Sequence, residues 1–445
     1  MPVNFLNKTY QTVDDFVLYV ENEINLGNNL EVSDFYNDTI IIVLLNELHK
    51  QPDNENCIRI IKRLIELKVD VNYKSLMEAL TYSKLSIFQE IVKLLINAGV
   101  DVTKSLKYTH TALMLACKYS NSSEIVKLLI EAGASINFSG SHHFTALMLA
   151  CKYSNSCKIV KLLMDAGADV NMINETGWPA LMFACKYSNS CEIVKLLIDA
   201  GAKINTQSDN NWTALAVACK YSKSSNSLAI VKLLIDSGAN LNLECNSSMT
   251  SLELAIKYSN TTSSLETVKL LIDSGADINI NPRHNSRRRY TALMVAVKDN
   301  NIEAVKLLIK AGADLEIQDT SGSTALCLAT RNLYYKNNSN SLEIIKLLIE
   351  SGANLNIKKK WTNQYWSCIN DLMKYGNDFY IYNVLKNNSH CESKNKNSIL
   401  CWCAIRINKG NTGNTIDKNI LHYDIIKFVR INLTNKRKKG LIALF

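Results

Sequence analysis

Between Leu76 and Asn356 apolar and polar residues alternate in a recurring rhythm, and its clearest copy is T-A-L-M-L-A-C-K-Y-S-N-S-S-E-I-V-K-L-L-I-E-A-G-A, from Thr111 to Ala134. Set against a 3.6-residue period, that string predicts two short helices. In the first, Leu113, Ala116 and Cys117 fall at i, i+3 and i+4, and their small side chains let the helix lie close to a neighbour. In the second, Ile125, Val126, Leu128, Leu129 and Ile130 cover so much of the surface that the helix is expected between other helices rather than against one face. Leu196, in the matching helix of a central copy, is expected deep in the core, where truncation to Ala costs about 2–5 kcal/mol.

Each copy closes on a glycine. Gly99, Gly133, Gly167, Gly201, Gly238, Gly275, Gly312 and Gly352 are separated by 34, 34, 34, 37, 37, 37 and 40 residues. A fixed period in the thirties marks stacked repeats, in which each unit buries its apolar face against its neighbours. The glycine is a helix stop, because a left-handed residue after the last turn satisfies orphan carbonyls and glycine carries no Cβ to oppose it. Beyond it runs A-x-(I/V/L)-N, as in Asp169-Val170-Asn171 or Asp277-Ile278-Asn279, then polar chain that reads as an extended loop or β-turn finger.

The order T-A-L-x-x-A, then E-I-V-K-L-L-I-x-A-G-A-x-(I/V)-N, in about eight copies, resembles the ankyrin repeat. The resemblance implies an all-α solenoid of stacked helix-turn-helix units with β-turn fingers, whose finger tips and exposed first-helix ends line a concave binding surface. Some positions depart from the family pattern. Thr111-Ala112-Leu113-Met114 and Thr145-Ala146-Leu147-Met148 stand where it has T-P-L-H, and Pro179 is displaced by one place. Tyr119-Ser120-Asn121-Ser122, and the longer Tyr221 to Ser227, enlarge the turn between helices and stretch the period. The copy at Thr291 keeps a short turn, Lys298-Asp299-Asn300-Asn301.

Worn copies are expected at both ends, where a solenoid must present a polar outer face. Residues 1–73 read as an N-terminal cap and degenerate repeat, 74–357 as core repeats, 358–433 as degenerate C-terminal repeats and cap, and 434–445 as a basic tail with an apolar end. Upstream, Val13 to Ile24 predicts a capping helix, and Thr39 to His49 pairs with Cys57 to Asn72, with Lys68 in the glycine's place. Downstream, Ser367 to Asn377, Phe379 to Leu385, Ile399 to Ile407 and Tyr423 to Ile431 echo the two helices. No composition break divides the chain, so one elongated domain is expected.

Composition adds bounds. Hydrophobic residues make up 47% of the chain, ample for a packed fold, yet apolar runs such as Ile40 to Leu45 are far too short to span a bilayer. Met1-Pro2-Val3-Asn4-Phe5 has no basic segment leading into an apolar stretch, so no secretory signal is read and an intracellular, cytoplasmic site is expected, with a nuclear one as the alternative. Of 13 cysteines, Cys117, Cys151, Cys185 and Cys219 recur with the repeat and read as small core fillers in a reducing compartment. Cys401-Trp402-Cys403 near His390 and Cys391 matches no standard zinc spacing, and no metal or cofactor is expected. The abundance of Asn, Ile, Lys and Ser, with the Lys-Tyr-Ser-Asn turns, resembles the ankyrin proteins of giant amoeba-infecting DNA viruses.

Two columns map onto the binding surface that the resemblance implies. One is Lys118-Tyr119, Lys152-Tyr153, Lys186-Tyr187, Lys220-Tyr221, Lys257-Tyr258 and Lys374-Tyr375, read either as a groove for an acidic partner or as lysines satisfying helix C-termini beside packed tyrosines. The other precedes each Thr: His110, Phe144, Trp178, Trp212, Met249, Tyr290 and Trp366, read as interface anchors or as finger packing. One finger is irregular, with 16 residues from Gly275 to Thr291 against 12 from Gly133 to Thr145, and it carries Arg283, Arg287, Arg288 and Arg289 beside Tyr290. Guanidinium groups bind carboxylate or phosphate in bidentate fashion, and the run also reads as a nuclear localisation signal, as does Asn435 to Lys439.

No phosphate-binding glycine loop, zinc-protease, nucleophile-elbow or kinase signature is present, so no enzyme is expected. The expected function is a monomeric protein-interaction scaffold for an acidic, host-derived partner. A net charge of +9, from 50 basic and 41 acidic residues, favours such a partner without requiring nucleic acid. Two alternatives stay open: a ubiquitin-ligase adaptor, for which the chain after Asn356 must supply the recruiting segment, and a nucleic-acid binder tracking phosphates along the Lys-Tyr rungs and Arg finger.

Overall fold

The computed structural model describes residues 3–5, 8–10, 15, 18–19, 22–23, 26, 40–67, 71–106, 110–188, 190–222, 225–245, 249–281, 289–336 and 339–354. Among them are eighteen α-helices, which follow one another in pairs. They are α1 (Ile40–Lys50), α2 (Glu55–Glu66), α3 (Tyr73–Thr81), α4 (Ser86–Asn97), α5 (Ala112–Tyr119), α6 (Ser123–Glu131), α7 (Ala146–Leu149), α8 (Cys157–Asp165), α9 (Ala180–Tyr187), α10 (Cys191–Asp199), α11 (Ala214–Lys220), α12 (Ser225–Asp236), α13 (Ser251–Tyr258), α14 (Leu265–Asp273), α15 (Ala292–Lys298), α16 (Ile302–Lys310), α17 (Ala325–Lys336) and α18 (Ser339–Glu350). The fold is all-α, a repeat solenoid with almost no strand. The exceptions are two antiparallel hairpins, β1 (Val3–Phe5) with β2 (Lys8–Tyr10), and β3 (Ser105–Leu106) with β4 (His110–Thr111).

The recurring residues set the helix ends. Thr111, Thr145, Thr213 and Thr291 each accept, through the side-chain hydroxyl, the free N–H three residues on, at 3.1–3.3 Å. Such a cap is worth about 1 kcal/mol. Ser122, Ser156 and Ser264 do the same for α6, α8 and α14. At the other end Gly133 lies at φ 88°, its N–H bonded to the carbonyl of Ile130 while that of Ala134 reaches Leu129, both at 3.0 Å. That six-to-one closure satisfies the last carbonyls as the sequence predicts.

Burial reverses one expectation. The first helices are the enclosed ones: Ala112 through Cys117 and Ala180 through Cys185 are six consecutive buried residues each. The second helices bury one stripe, such as Ile125, Val126 and Leu129, and leave Leu128 and Ile130 half-exposed. Small residues let the first helix be approached from several sides, so fewer atoms make it the more buried. Leu196 is accordingly half-buried, and the fully buried leucine of α10 is Leu197.

The described residues divide into two compact units. One runs to Ala218 and takes in 225–239; the other holds 219–222 and everything described from Asn240 on. Within the first, Asn137, Asn171 and Asn205 donate side-chain N–H groups to the carbonyls of Gly167, Gly201 and Gly238, at 2.9–3.2 Å. Asn137 and Asn171 also accept from the amides of Asp169 and Lys203. Within the second, Asn242 and Asn279 accept from the amides of Asp277 and Asp314. The asparagine of A-x-(I/V/L)-N thus ties each helix-closing turn to the next.

Worn repeats fit the same pattern where they are described. α1 and α2 form the pair read upstream, and Asn54 caps α2. Of the capping helix read over Val13 to Ile24, Asp15, Leu18, Tyr19, Asn22 and Glu23 are helical and the rest lie outside the described residues. The calls at Lys68 and at every position from 355 on, including the downstream helices and the basic tail, also lie outside them.

Candidate protein interface

The fingers are short hairpins closed by the residue that precedes each Thr. Gly140 donates its N–H to the carbonyl of Phe144 at 2.9 Å, Asn174 to that of Trp178 at 3.1 Å, Ser208 to that of Trp212 at 3.0 Å and Cys245 to that of Met249 at 2.7 Å. Side chains close them further: Asn174 Oδ1 accepts from the amide of Trp178, and Ser208 Oγ from that of Trp212. Neighbouring fingertips meet, with the Glu175 N–H on the carbonyl of His142 and an exposed His142–Glu175 side-chain pair at 2.6 Å. His110, Phe144, Trp178, Trp212, Met249 and Tyr290 are all half-buried, so they pack the fingers and still offer an edge to solvent. Trp366 lies outside the described residues.

Within each unit the two columns read separately in the sequence come together. In the first unit the ammonium of Lys152 lies 5.3 Å from the ring centroid of Phe144, 4.9 Å from that of Tyr153 and 5.7 Å from that of Tyr187 in the next repeat. Lys186 lies 5.6 Å from Trp178 and 4.8 Å from Tyr187, and Lys118 lies 4.8 Å from Tyr119. In the second unit Lys220 lies over Tyr221 and Tyr258 at 5.3 and 4.8 Å, Lys257 over Tyr258 at 5.5 Å and Lys298 over Tyr290 at 5.0 Å. Each such contact is worth about 0.5–1 kcal/mol at an exposed site, enough to bias a lysine head toward one place. Tyr153 and Tyr187 are 46% and 43% exposed, so this aromatic surface is open.

Sequence reasoning missed Phe183. Its ring, buried in α9, lies 5.3 Å from Phe144, 5.4 Å from Trp178 and 6.4 Å from Tyr187, and so joins two fingers to one helix end. The signal was available, since Phe183 stands where the preceding copies have Leu115 and Leu149. Lys298 was also missed, because Asp299 replaces the tyrosine that drew attention to the other pairs.

Lysines recur along this face. Among the described residues no carboxylate pairs with Lys118, Lys152 or Lys257. Burial, with the Lys118 ammonium beside it, lowers the pKa of His110 and favours its neutral form. Glu253, where other copies have Met, is buried and its carboxyl is pushed up to about 8, so it is mostly protonated at neutral pH and adds little negative charge. Of the irregular finger, Arg289 and Tyr290 are described and half-buried, whereas Arg283, Arg287 and Arg288 lie outside the described residues, as does the pair Lys374-Tyr375.

The recurring cysteines are poor nucleophiles. Cys117, Cys151, Cys185 and Cys219 are buried in the core, and Cys117, Cys151 and Cys185 carry free thiols. Burial raises the thiol pKa of Cys117 and Cys185 and pushes that of Cys151 up to about 12, which keeps them protonated and unreactive. Among the described residues no three His, Cys, Asp or Glu side chains are placed to hold a metal, and no helix is long and apolar enough to cross a membrane. Cys401, Cys403, His390 and Cys391 lie outside the described residues.

Comparison with known families returns one described as "Ankyrin repeats (3 copies)", matched over residues 48–140, 76–174, 139–208, 181–282 and 280–359. No curated protein matches the chain. Proteins of this family are typically non-enzymatic modules that bind other proteins. The matched repeats cover most of the chain, and they coincide with the paired helices, the threonine caps and the left-handed glycines: the chain belongs to the ankyrin-repeat family.

Proposed function

We propose that the protein is a non-enzymatic scaffold that binds an acidic surface of another protein through the face formed by its fingers and first-helix ends. The observation that carries this reading is the joined ladder of Lys152, Lys186, Phe144, Trp178, Tyr153 and Tyr187, in which ammonium groups are held over rings that remain open to solvent. Rigid aromatic area with fixed cationic heads suits a protein interface, because little side-chain entropy is left to lose on binding. The free, buried thiols of Cys117, Cys151 and Cys185 fit a reducing compartment, so the cytoplasm is the proposed site, although Cys327 is disulfide-bonded. If the viral style of the composition reflects origin, the partner is a host protein.

Affinity capture from cell extract treated with nuclease tests this, comparing the whole chain with a Tyr153→Ala, Tyr187→Ala variant. A discrete acidic protein held by the native chain, lost from the variant and released by salt is the expected outcome. Equal recovery by both would move the binding face elsewhere, and material lost on nuclease treatment would favour a nucleic-acid ligand. A parallel capture with Arg287, Arg288 and Arg289 changed to Ser measures what the irregular finger adds.

A further inference from the structure

The ladder in the first unit has a period, and the period restricts the shape of what lies on it. Lys118 and Lys186 come from the ends of the first helices α5 and α9, and Lys152 from the π turn Ala150–Ser154 that takes the same place in the repeat between them, each over the tyrosine that follows it. Helices packed through small residues such as Ala112, Ala116, Ala146, Ala150, Ala180 and Ala184 lie about 8–10 Å apart, so the lysines recur at about that interval. Between Lys152 and Lys186 lies the ring of Tyr187, within 5.7 and 4.8 Å of the two ammonium groups, while Tyr153 lies against Lys152, and Phe144 and Trp178 lie against Lys152 and Lys186. The result is a row of cations separated by aromatic pads.

Few extended structures present carboxylates at that interval on one side. A β-strand rises about 3.3 Å per residue and shows one face at every second position, so its same-face side chains fall about 6.6 or 13 Å apart. A polyproline-II helix has three residues per turn and rises about 3.1 Å per residue, which brings every third side chain to the same face about 9.3 Å along. It also keeps its backbone solvated and docks on aromatic-lined grooves, where prolines lie on the rings. Its low conformational entropy suits a surface whose own side chains are already held.

We propose that Lys118, Lys152 and Lys186 read an extended, proline-rich acidic segment of the partner, with a carboxylate at every third residue and the intervening residues on Tyr153, Tyr187, Phe144 and Trp178. The inference rests on the reading that this face binds protein, and it specifies the segment bound. Each carboxylate takes N–H donors of a lysine ammonium, and the ring contacts bias that lysine against following a misplaced acid. Register, and not total charge, is therefore what the ladder selects.

Synthetic peptides and the whole chain test this by fluorescence anisotropy at low and physiological salt. One peptide repeats Glu-Pro-Pro; a second has the same composition and charge with the glutamates in alternate positions; a third is an alanine-rich helix with glutamate at every seventh residue. The first is expected to bind about tenfold more tightly than the second, a difference of about 1.4 kcal/mol. Lys152→Gln is expected to weaken it about fivefold, and Lys306→Gln, on the second helix α16 where the lysine pairs with Glu303, to leave it unchanged. Equal binding of the first two peptides, or no loss in Lys152→Gln, overturns the proposal, as does tighter binding by the helical peptide. So does equally effective competition by a single-stranded oligonucleotide. If none of the peptides binds in register while capture still depends on Tyr153 and Tyr187, the segment is wrong and the interface stands; loss of that dependence as well removes the interface itself.

Discussion

Residues Thr111–Ser122 and Thr145–Ser156 share one sequence, T-A-L-M-L-A-C-K-Y-S-N-S, and fold differently. In the first copy α5 runs unbroken to Tyr119, Ser120 turns extended at φ −99° and ψ 132°, and its hydroxyl accepts the N–H of Ser122 at 3.1 Å. In the second, α7 ends at Leu149, a wider π turn spans Ala150–Ser154, and Asn155 stands left-handed at φ 48°. Ser154 Oγ is left buried without a hydrogen-bond partner. The third copy, altered at Pro179 and Phe183, returns to the first form, with Ser188 at φ −86° and ψ 132°. Twelve residues therefore permit both turns, and the surroundings choose.

Two features of the surroundings differ. After the first copy comes Ser123-Glu124, and Glu124 accepts Lys93 of the preceding outer helix at 2.6 Å, just as Glu90 accepts Lys62 at 2.8 Å. After the second comes Cys157-Lys158, which reverses the charge, and Lys158 and Lys127 line a cleft of about 570 Å³ at that seam. The second feature is a hydrogen bond from the Ser188 hydroxyl to Asn155 Oδ1 at 2.7 Å, which the left-handed residue receives from the following repeat.

The largest expected effect asks whether the π turn loosens the core beneath it. Leu113 and Leu147 are equivalent and almost wholly buried, so Leu113→Ala and Leu147→Ala are each expected to cost about 2–5 kcal/mol in urea unfolding followed by circular dichroism. Equal losses mean that the altered turn is confined to the helix end. A loss at Leu147 smaller by more than about 1 kcal/mol means that the repeat has already yielded part of its packing.

Identical strings with two outcomes also mark how far the sequence could be read. Helix pairs and closing glycines were legible because each depends on residues within one turn of its own position, as Gly133 shows, whereas the threonine caps, equally local, went unread. The contacts of the candidate interface were not. That Lys152 spans Phe144, Tyr153 and Tyr187 depends on how one repeat lies on the next, and neither column alone encodes it. Leu196 and Leu197 are neighbours with the same side chain, and the helix rotation that buries one and half-exposes the other is set by the adjacent second helices. The irregular finger was visible as composition, but Arg283, Arg287 and Arg288 lie outside the described residues.

A smaller effect isolates the left-handed residue. Asn155→Ala gives up the short polar side chain that lets asparagine tolerate the αL region and removes the acceptor of Ser188, so a loss of about 1–2 kcal/mol is expected. Asn121→Ala changes the same letter of the same string where no positive φ occurs, and a surface substitution of that kind is expected to cost within about 0.5 kcal/mol. Matching losses would mean that the two turns are alike in solution and that the contrast between the copies does not survive there.

Lys158→Glu carries the smallest energy and says most about cause. It restores the acidic position of the outer row opposite Lys127, and exposed pairs of this kind contribute about 0–1 kcal/mol, a gain that salt should erase. If the reversed charge is what widens the turn before α8, the substitution should draw Thr145–Ser156 toward the form of Thr111–Ser122. Hydrogen exchange at the amides of Tyr153 to Asn155 should then slow toward the rate of their counterparts Tyr119 to Asn121. Unchanged exchange alongside a salt-sensitive gain in stability would clear the outer row. The choice of turn would then fall to the bond between Ser188 and Asn155, which comes from the repeat that follows and not from the helix whose end it shapes.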